Sequence, residues 1–465
     1  MSRRLDPPPV PFTAPLPPLG EGLELPEHAE DEIALLFTGI HGADLRYVAT
    51  WGRWFRWDGA CWRKDETLHC YDLVRDVCRE RAKITPEAKH AAAVASAKTV
   101  AAVERLARAD RAHAAAADQF DADPWILNTP DCTVDLQTGQ ARAHRREDWL
   151  TKRTAVGPSS AGAPRWFEFL KRTAGGDPEL ERYLQRLVGY SLTGITREHA
   201  LVFFYGTGAN GKSTFLNAVS GLLGEYAVIA SPETFVESGA ERHPTDLAML
   251  RGARLVVAQE IDEGRRWALA RIKSMTGGDP ITARFVRQDF FTFTPQFKLV
   301  VSANHRPGVR NVDEAIRRRL QLVPFNQVIP AEQRDPGLAE ALRTEWGGIL
   351  EWAIEGCLEW QRIGLAPPQS VLTATADYLV AEDILGSWLA DACIVHVSER
   401  ELVGRLYESY RRWAERAGER PLSSKRFSQA LEEWGFSWGR ITGGERVFDG
   451  LGLRDPLLQQ AASDT

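Results

Sequence analysis

LVFFY-GTGANGKST-FLNAVSGLLG, residues 201–224, decides how this chain folds. The first five residues form an apolar run that reads as a strand, and the last ten read as a helix. The loop between them, Gly206-Thr207-Gly208-Ala209-Asn210-Gly211-Lys212-Ser213-Thr214, has the spacing G-x-x-x-x-G-K-[ST]. A loop that opens a helix presents unpaired backbone N–H groups and the positive end of the helix dipole to an anion. Gly206, Gly208 and Gly211 let the backbone curl around phosphates without Cβ clashes. In this reading Lys212 reaches the β- and γ-phosphates, and the Ser213 hydroxyl completes a Mg²⁺ shell. An ordinary glycine turn is the competing reading, and the strand and helix on either side weigh against it. The expectation is a chain that binds and hydrolyses a nucleoside triphosphate.

Hydrolysis also needs an acid at the end of a neighbouring strand, where ligands collect in open α/β sheets. ARLVVAQEID (253–262) supplies Glu260 there, to polarise the attacking water. Many enzymes of this kind carry a second acid directly before it, and here that place is Gln259; Asp262 is a weaker substitute through water. FKLVVSANHRP (297–307) reads as another buried strand, ending in Asn304, whose amide suits holding the lytic water. RRRLQLVPF (317–325) sets three arginines ahead of a further strand. From that position an arginine serves its own glycine loop poorly, but across a subunit boundary it can act as a finger.

Between these strands ITARFVR and FFTFTPQ read as a β-hairpin joined at Gln288-Asp289, with Arg287 by the tip and Arg284 on an arm. Residues 281–325 hold eight Lys/Arg against three Asp/Glu, although the whole chain is at −6. The positive charge is thus local, which argues against a protein that coats nucleic acid over its whole surface.

Outward from this core, residues 1–27 are Pro-rich and without periodicity, as in an extended arm. WGRWFRWDGACW (51–62) reads as a tryptophan-rich hairpin turning at Asp58-Gly59. Its rings either fill a small core or stack on single-stranded bases. Residues 86–118 are Ala-rich and helical. Asp121-x-Asp123 has the spacing of a metal pair but sits in a loop before Pro124. Residues 126–144 read as two short strands. Residues 337–365 and 371–395 read as helices. From 399 the pattern is helix, a second helix capped at Ser423-Ser424, then a hairpin turning at Gly443-Gly444, the order of a winged helix. Lys425 and Arg426 then sit where such domains touch DNA.

The length of 465 residues suits about three domains, and 44% hydrophobic residues suit sizeable cores. The N-terminus has no apolar signal region, and no stretch approaches the ~20 apolar residues of a membrane span. The expected location is cytoplasmic, with no membrane partner. Six cysteines without a CxxC read as free thiols of a reducing compartment.

Taken in order, GTGANGKST, VAQE, KSMTGGDPITARFV, FKLVVSAN and RRRLQLVPF resemble the superfamily 3 helicases. The likeness is closest to the satellite-phage and plasmid primase–helicases, the branch that includes the poxvirus primase–helicase. It is strongest over 200–330 and looser on either side. It implies an α/β fold: an AAA+ P-loop NTPase core at 200–330, a mixed α+β region at 28–150 and a helical lead-in at 151–199. A helical region at 331–395 and a winged-helix-like end at 396–465 complete it. The resemblance further implies an ATP-dependent DNA helicase, encoded by a phage, prophage or plasmid in a bacterial host, that moves along single-stranded DNA as a homo-hexamer. ATP and Mg²⁺ are its cofactors, and Lys212, Ser213, Glu260 and Asn304 its site residues, Ser213 and Glu260 on the metal side. Arg318 is the neighbour's finger, with Arg317 or Arg319 as alternatives. Lys273, Arg284 and Arg287 fall on the DNA-contacting hairpin motif. With no convincing polymerase carboxylates, primer synthesis is expected from a separately encoded primase or initiator. The alternative is an ATP-regulated origin-binding module without processive unwinding on forked DNA.

Overall fold

The computed structural model describes residues 29–237, 245–262, 265–285, 289–307, 314–381, 384–419, 421–440 and 445–454. The Pro-rich arm, Arg287, the Gln288 half of the hairpin joint and the Gly443-Gly444 turn lie outside them, as does the side chain of Arg426. The chain divides into two compact units, one of residues 1–122 with 146–151, the other of 123–145 with 152–465.

The second unit is built on a five-stranded parallel sheet. In spatial order its strands are Leu320–Pro324, Leu201–Tyr205, Lys298–Ala303, Leu255–Gln259 and Ala227–Ile229. Parallel sheets are covered on both faces, so their strands are apolar throughout, with side chains alternating between faces. Val202, Phe204, Val257, Val300 and Val323 enter one buried cluster, while Leu201, Phe203, Val256, Val301 and Leu322 enter another.

Over the first face lie the helices Pro164–Thr173, Pro178–Leu192 and Trp346–Ile363. Asp177 caps the second of these, accepting from the N–H groups of Glu179 and Leu180, and Pro178 suits its first turn. That helix crosses Trp346–Ile363 very closely. A Cβ on Gly189 would lie 2.1 Å from the Cys357 nitrogen, and one on Gly356 would lie 2.3 Å from the Gln185 carbonyl oxygen. Two buried basic side chains reach the carbonyls at the end of Pro178–Leu192. Arg254 donates to Leu192, where the helix dipole favours positive charge, and also to Ile126, while Lys298, whose pKa burial and Arg254 push well below the ordinary lysine range, donates to Thr193. The helix Gln369–Ala381 belongs to the second face, where Tyr378 and Leu379 join the core.

Residues 126–142 form three antiparallel strands where two were expected; Gln140–Arg142 adds the third. These strands pack with the sheet unit, because Leu127, Val134 and Leu136 enter its core. The helical stretch expected to reach 395 ends at Ala392, and Cys393–Leu402 is a strand. It pairs with Arg446–Leu453, which also pairs with Ser437–Arg440, giving a three-stranded antiparallel sheet. Helices Val403–Arg416 and Ser424–Glu433 precede the last two strands, and Trp388, Tyr410 and Phe427 pack ring against ring in this region's core.

In the first unit Arg53–Trp57 and Trp62–Lys64 form the expected hairpin. Asp58 turns it by accepting from the N–H groups of Ala60 and Cys61. Trp54 and Trp62 are buried, and the Trp54 indole donates to Glu104. These two rings fill cores. Asp121 accepts from the N–H of Thr151, thirty positions on, and Asp123 from the nearby Trp125 N–H, so both carboxylates of the D-x-D spacing accept hydrogen bonds within the fold. Among the described residues no helix is long and apolar enough to cross a membrane.

Candidate functional site

The Leu201–Tyr205 strand lies between Leu320–Pro324 and Lys298–Ala303, so the loop that leaves it opens where the ends of adjacent strands converge. The helix Lys212–Leu223 starts directly after Gly211. Gly206, Gly208 and Gly211 have φ of +155°, +99° and +88°. Two of them are also sterically obligatory. A Cβ on Gly206 would stand 2.2 Å from the Phe325 carbonyl oxygen, and one on Gly211 would stand 2.4 Å from Thr173 Cγ2. Gly208 faces open space. The loop is tethered to the chain beyond the Leu320–Pro324 strand. The Asn210 side chain donates to the Phe325 carbonyl over 2.7 Å, and the Ile329 N–H donates to Ala209 over 2.8 Å.

Lys212 is buried, and its ammonium donates to the Gly206 carbonyl (2.7 Å), Asn210 Oδ1 (3.1 Å) and Asn304 Oδ1 (3.2 Å). Burial pushes its pKa below the ordinary lysine range, because a desolvated ammonium without a carboxylate partner is disfavoured. Glu260 follows the Leu255–Gln259 strand in a left-handed conformation (φ 63°), and its N–H donates to the Ser302 carbonyl. This non-glycine outlier sets the carboxylate at the strand end.

One cavity of about 610 Å³ brings together Lys212, Ser213, Glu260, Asp262 and Asn304. Gln259 lines it too, and its amide donates to Asn217. Among the described residues no three His, Cys, Asp or Glu side chains cluster as a metal cage.

The other expected residues lie elsewhere. Arg319 is buried, donates to the Ala315 carbonyl and, through its own carbonyl, accepts from the Leu201 N–H, so it is fixed within the fold. Arg317 and Arg318 are exposed, and none of the three lines the cavity. Lys273 is half-buried on the helix Leu269–Gly277. That helix leads to the antiparallel pair Ile281–Ala283 and Phe291–Phe293. Arg284 lies over the Phe290 ring at 4.7 Å, and Phe290 is exposed. Lys425 is exposed on Ser424–Glu433. Asn210 was expected in the loop, but its tether to Phe325, and that of Ala209 to Ile329, were not, because bonds to backbone groups leave no side-chain signal in the sequence.

Comparison with known proteins gives two family matches, "D5 N terminal like" over residues 34–175 and a family of unknown function, DUF5906, over 204–319. The "Putative helicase 022R" of Frog virus 3 (isolate Goorha) is 25% identical over 260 residues, 51% of this chain and 26% of that protein. The "Putative helicase L207/L206" of Acanthamoeba polyphaga mimivirus is 25% identical over 266 residues, 53% of this chain and 28% of that protein. The chain therefore matches about a quarter of the length of these relatives. Among solved structures, the A form apo structure of the NrS-1 C-terminal region aligns over 90% of this chain and 99% of that one, at 8% identity and a TM-score of 0.49.

Proposed function

We propose that this chain, a primase–helicase-like protein of superfamily 3, is an ATP-dependent helicase of DNA replication that moves along single-stranded DNA as a hexameric ring. The observation that carries the reading is the buried Lys212 ammonium, held between the glycine loop and Asn304 with Glu260 in the same cavity. The parallel sheet with this loop at its strand ends supports an AAA+ P-loop core. The helices and three-stranded sheet at the C-terminal end support a winged helix.

On ATP binding Lys212 exchanges its loop contacts for β- and γ-phosphate oxygens. Its charge acts strongly because it is shielded from water. Glu260 orients the attacking water and takes its proton. Asn304, released from Lys212, turns its amide to the γ-phosphate. Ser213, with Glu260 through water, would hold Mg²⁺, whose bound charge offsets that building on the phosphates. A site with few protein carboxylates fits a cation held largely by phosphates and water. Arg318 is exposed and away from its own cavity, which suits action on a neighbouring subunit. Arg284 beside the exposed Phe290 ring suits contact with DNA.

The test is DNA-stimulated ATP hydrolysis and strand displacement on a forked duplex. Lys212→Ala loses both while its thermal unfolding stays that of the wild type. Glu260→Gln binds ATP but hydrolyses it ~10²–10⁴-fold more slowly. Undiminished hydrolysis in Lys212→Ala would overturn the reading. The exposed Lys425 on a helix of the C-terminal region favours a second reading, an ATP-regulated origin-binding module. Stable binding of forked DNA with no unwinding under ATP selects it.

A further inference from the structure

The first unit carries a sheet whose two faces differ. Leu45–Val48 pairs antiparallel with Arg53–Trp57, and that strand with Trp62–Lys64. Paired residues share a face, as do alternate residues along a strand. Leu45 and Trp54 enter a core with Ile33, Phe37, Val74 and Val103 of the helices. The register puts Arg46, Arg53, Phe55, Trp57, Trp62 and Lys64 on the other face, with no acid among its strand residues. Rings continue across that face. Phe120 meets Phe55 at 5.1 Å and Trp51 at 5.7 Å, and Trp149 stands edge-on to Phe120 at 5.1 Å. Trp149 also stacks on Trp62 at 5.7 Å, and Trp57 meets Trp62 at 5.7 Å. Phe55, Trp62 and Phe120 are buried and make a floor, whereas Trp51, Trp57 and Trp149 are half-buried. Trp149 is held at φ 54°, a left-handed conformation rare for a bulky residue. Its segment is tied down, since the Trp62 indole donates to the Arg146 carbonyl and the Trp62 N–H to the Leu150 carbonyl. Strain of this kind persists only where the surroundings hold it, and it collects at ligand sites. The Arg46 guanidinium lies 4.8 Å from the Trp62 ring and 5.4 Å from the Trp149 ring.

We propose that this face is a stacking platform for single-stranded nucleic acid, with Trp51, Trp57 and Trp149 against bases and Arg53 and Lys64 against phosphates. Charge complementarity selects that occupant. Residues 45–64 hold five Lys/Arg against one Asp, in a chain whose net charge is −6. Arg53 and Lys64 are exposed. Among the acids nearby, Asp44 is paired with Arg146 at 2.6 Å and Glu66 with Lys64 at 3.0 Å, while Glu147 and Asp148 belong to the crossing segment. Every base has a π-face, so half-open indoles beside basic groups hold a single strand of any sequence. A duplex keeps those faces stacked on one another and gains nothing from the rings. A neutral protein surface would leave the basic rim unmatched. The platform uses other residues than Arg284 and Phe290, and it does not depend on ATP hydrolysis by the glycine loop.

The test is ultraviolet cross-linking of the full chain, without ATP, to short DNA and RNA oligonucleotides carrying 5-iodouracil, with adducts mapped by mass spectrometry. Adducts on Trp51, Trp57 or Trp149 support the platform, and the arm that yields them tells DNA from RNA. Adducts confined to other segments overturn it, as does an equal yield on these tryptophans from a duplex. The double variant Arg53→Glu, Lys64→Glu changes exposed positions only and keeps the wild-type melting temperature. It lowers the yield on these tryptophans about tenfold and leaves adducts elsewhere unchanged. An undiminished yield in that variant overturns the proposal. So does quenching of tryptophan fluorescence by a synthetic peptide of residues 6–18, or self-association that the double variant abolishes, where no oligonucleotide adduct forms on the face. Either result assigns the face to protein instead.

Discussion

Asn304 Oδ1 accepts a hydrogen bond from the Lys212 ammonium over 3.2 Å, joining residues 92 positions apart in the chain. An incoming γ-phosphate competes for the lysine, so its arrival is felt by the asparagine. Asn304→Ala is expected to bind ATP within a few-fold of wild type and to lose ~10²–10³ in kcat, the usual cost of removing one donor at developing charge. Separate measurement of Kd and kcat checks this. An unchanged kcat would mean that the contact is only structural.

The three loop glycines are not equivalent. Gly206→Ala and Gly211→Ala drive a Cβ into the Phe325 carbonyl and Thr173, and both are expected to abolish ATP binding. Gly208→Ala meets open space and carries only left-handed backbone strain, about 1–2 kcal/mol. ATP titration of the three variants should rank Gly208→Ala as the mildest.

The arginine triplet divides by burial. Arg318→Ala should leave ATP affinity and the melting temperature near wild type while hydrolysis by the assembled protein falls ~10³-fold or more. Arg319→Ala removes a buried group packed at the Leu201–Tyr205 strand and should lower the melting temperature instead. A mixture of Arg318→Ala and Glu260→Gln chains regains hydrolysis only if the finger acts between subunits. No recovery in the mixture counts against that arrangement.

At the helix crossing beside the sheet, Gly189→Ala sets a Cβ against the Cys357 backbone nitrogen. Backbone cannot yield as a side chain does, so the variant is expected to lose about 1–3 kcal/mol or more. Urea unfolding measures it, and a loss under ~0.5 kcal/mol would show that the helices separate freely.

In the first unit His113 is fully buried; its Nδ1 meets the Leu45 carbonyl, and its Nε2 has no partner among the described residues. Burial, aided by Arg46 and His41, pushes its pKa below the ordinary 6.5, against the opposing pull of the Leu45 carbonyl and Asp110. The unfolded chain therefore takes up the proton first as pH falls. Stability is complete above pH 6.5 and is lost as pH drops below it toward the depressed folded value. Amide exchange in the strand Leu45–Val48 should quicken over that window, and His113→Phe should flatten the dependence.

Legibility followed distance along the chain. The loop at 206–214, the strands ending at Glu260 and Asn304, and the Trp57–Trp62 turn are local patterns and were readable. Cys393–Leu402 was not, because most of its side chains are exposed and its partner, Arg446–Leu453, lies some fifty residues on. Arg317, Arg318 and Arg319 look alike in sequence, and only the packing under the sheet separates the third.

The Leu320–Pro324 strand has the arginines at its entry and Phe325, which receives the Asn210 tether, at its exit. It borders the sheet, pairing with Leu201–Tyr205 on one flank, and on the other its Leu322 N–H donates to the Thr375 hydroxyl of the helix Gln369–Ala381 over 2.9 Å. Five residues at ~3.3 Å each make a stiff rod about 17 Å long. A rod held along both flanks bends little and shifts as one piece. The strand is thus a splint: the arginines and the anchor from which the glycine loop hangs are the two ends of one stiff element.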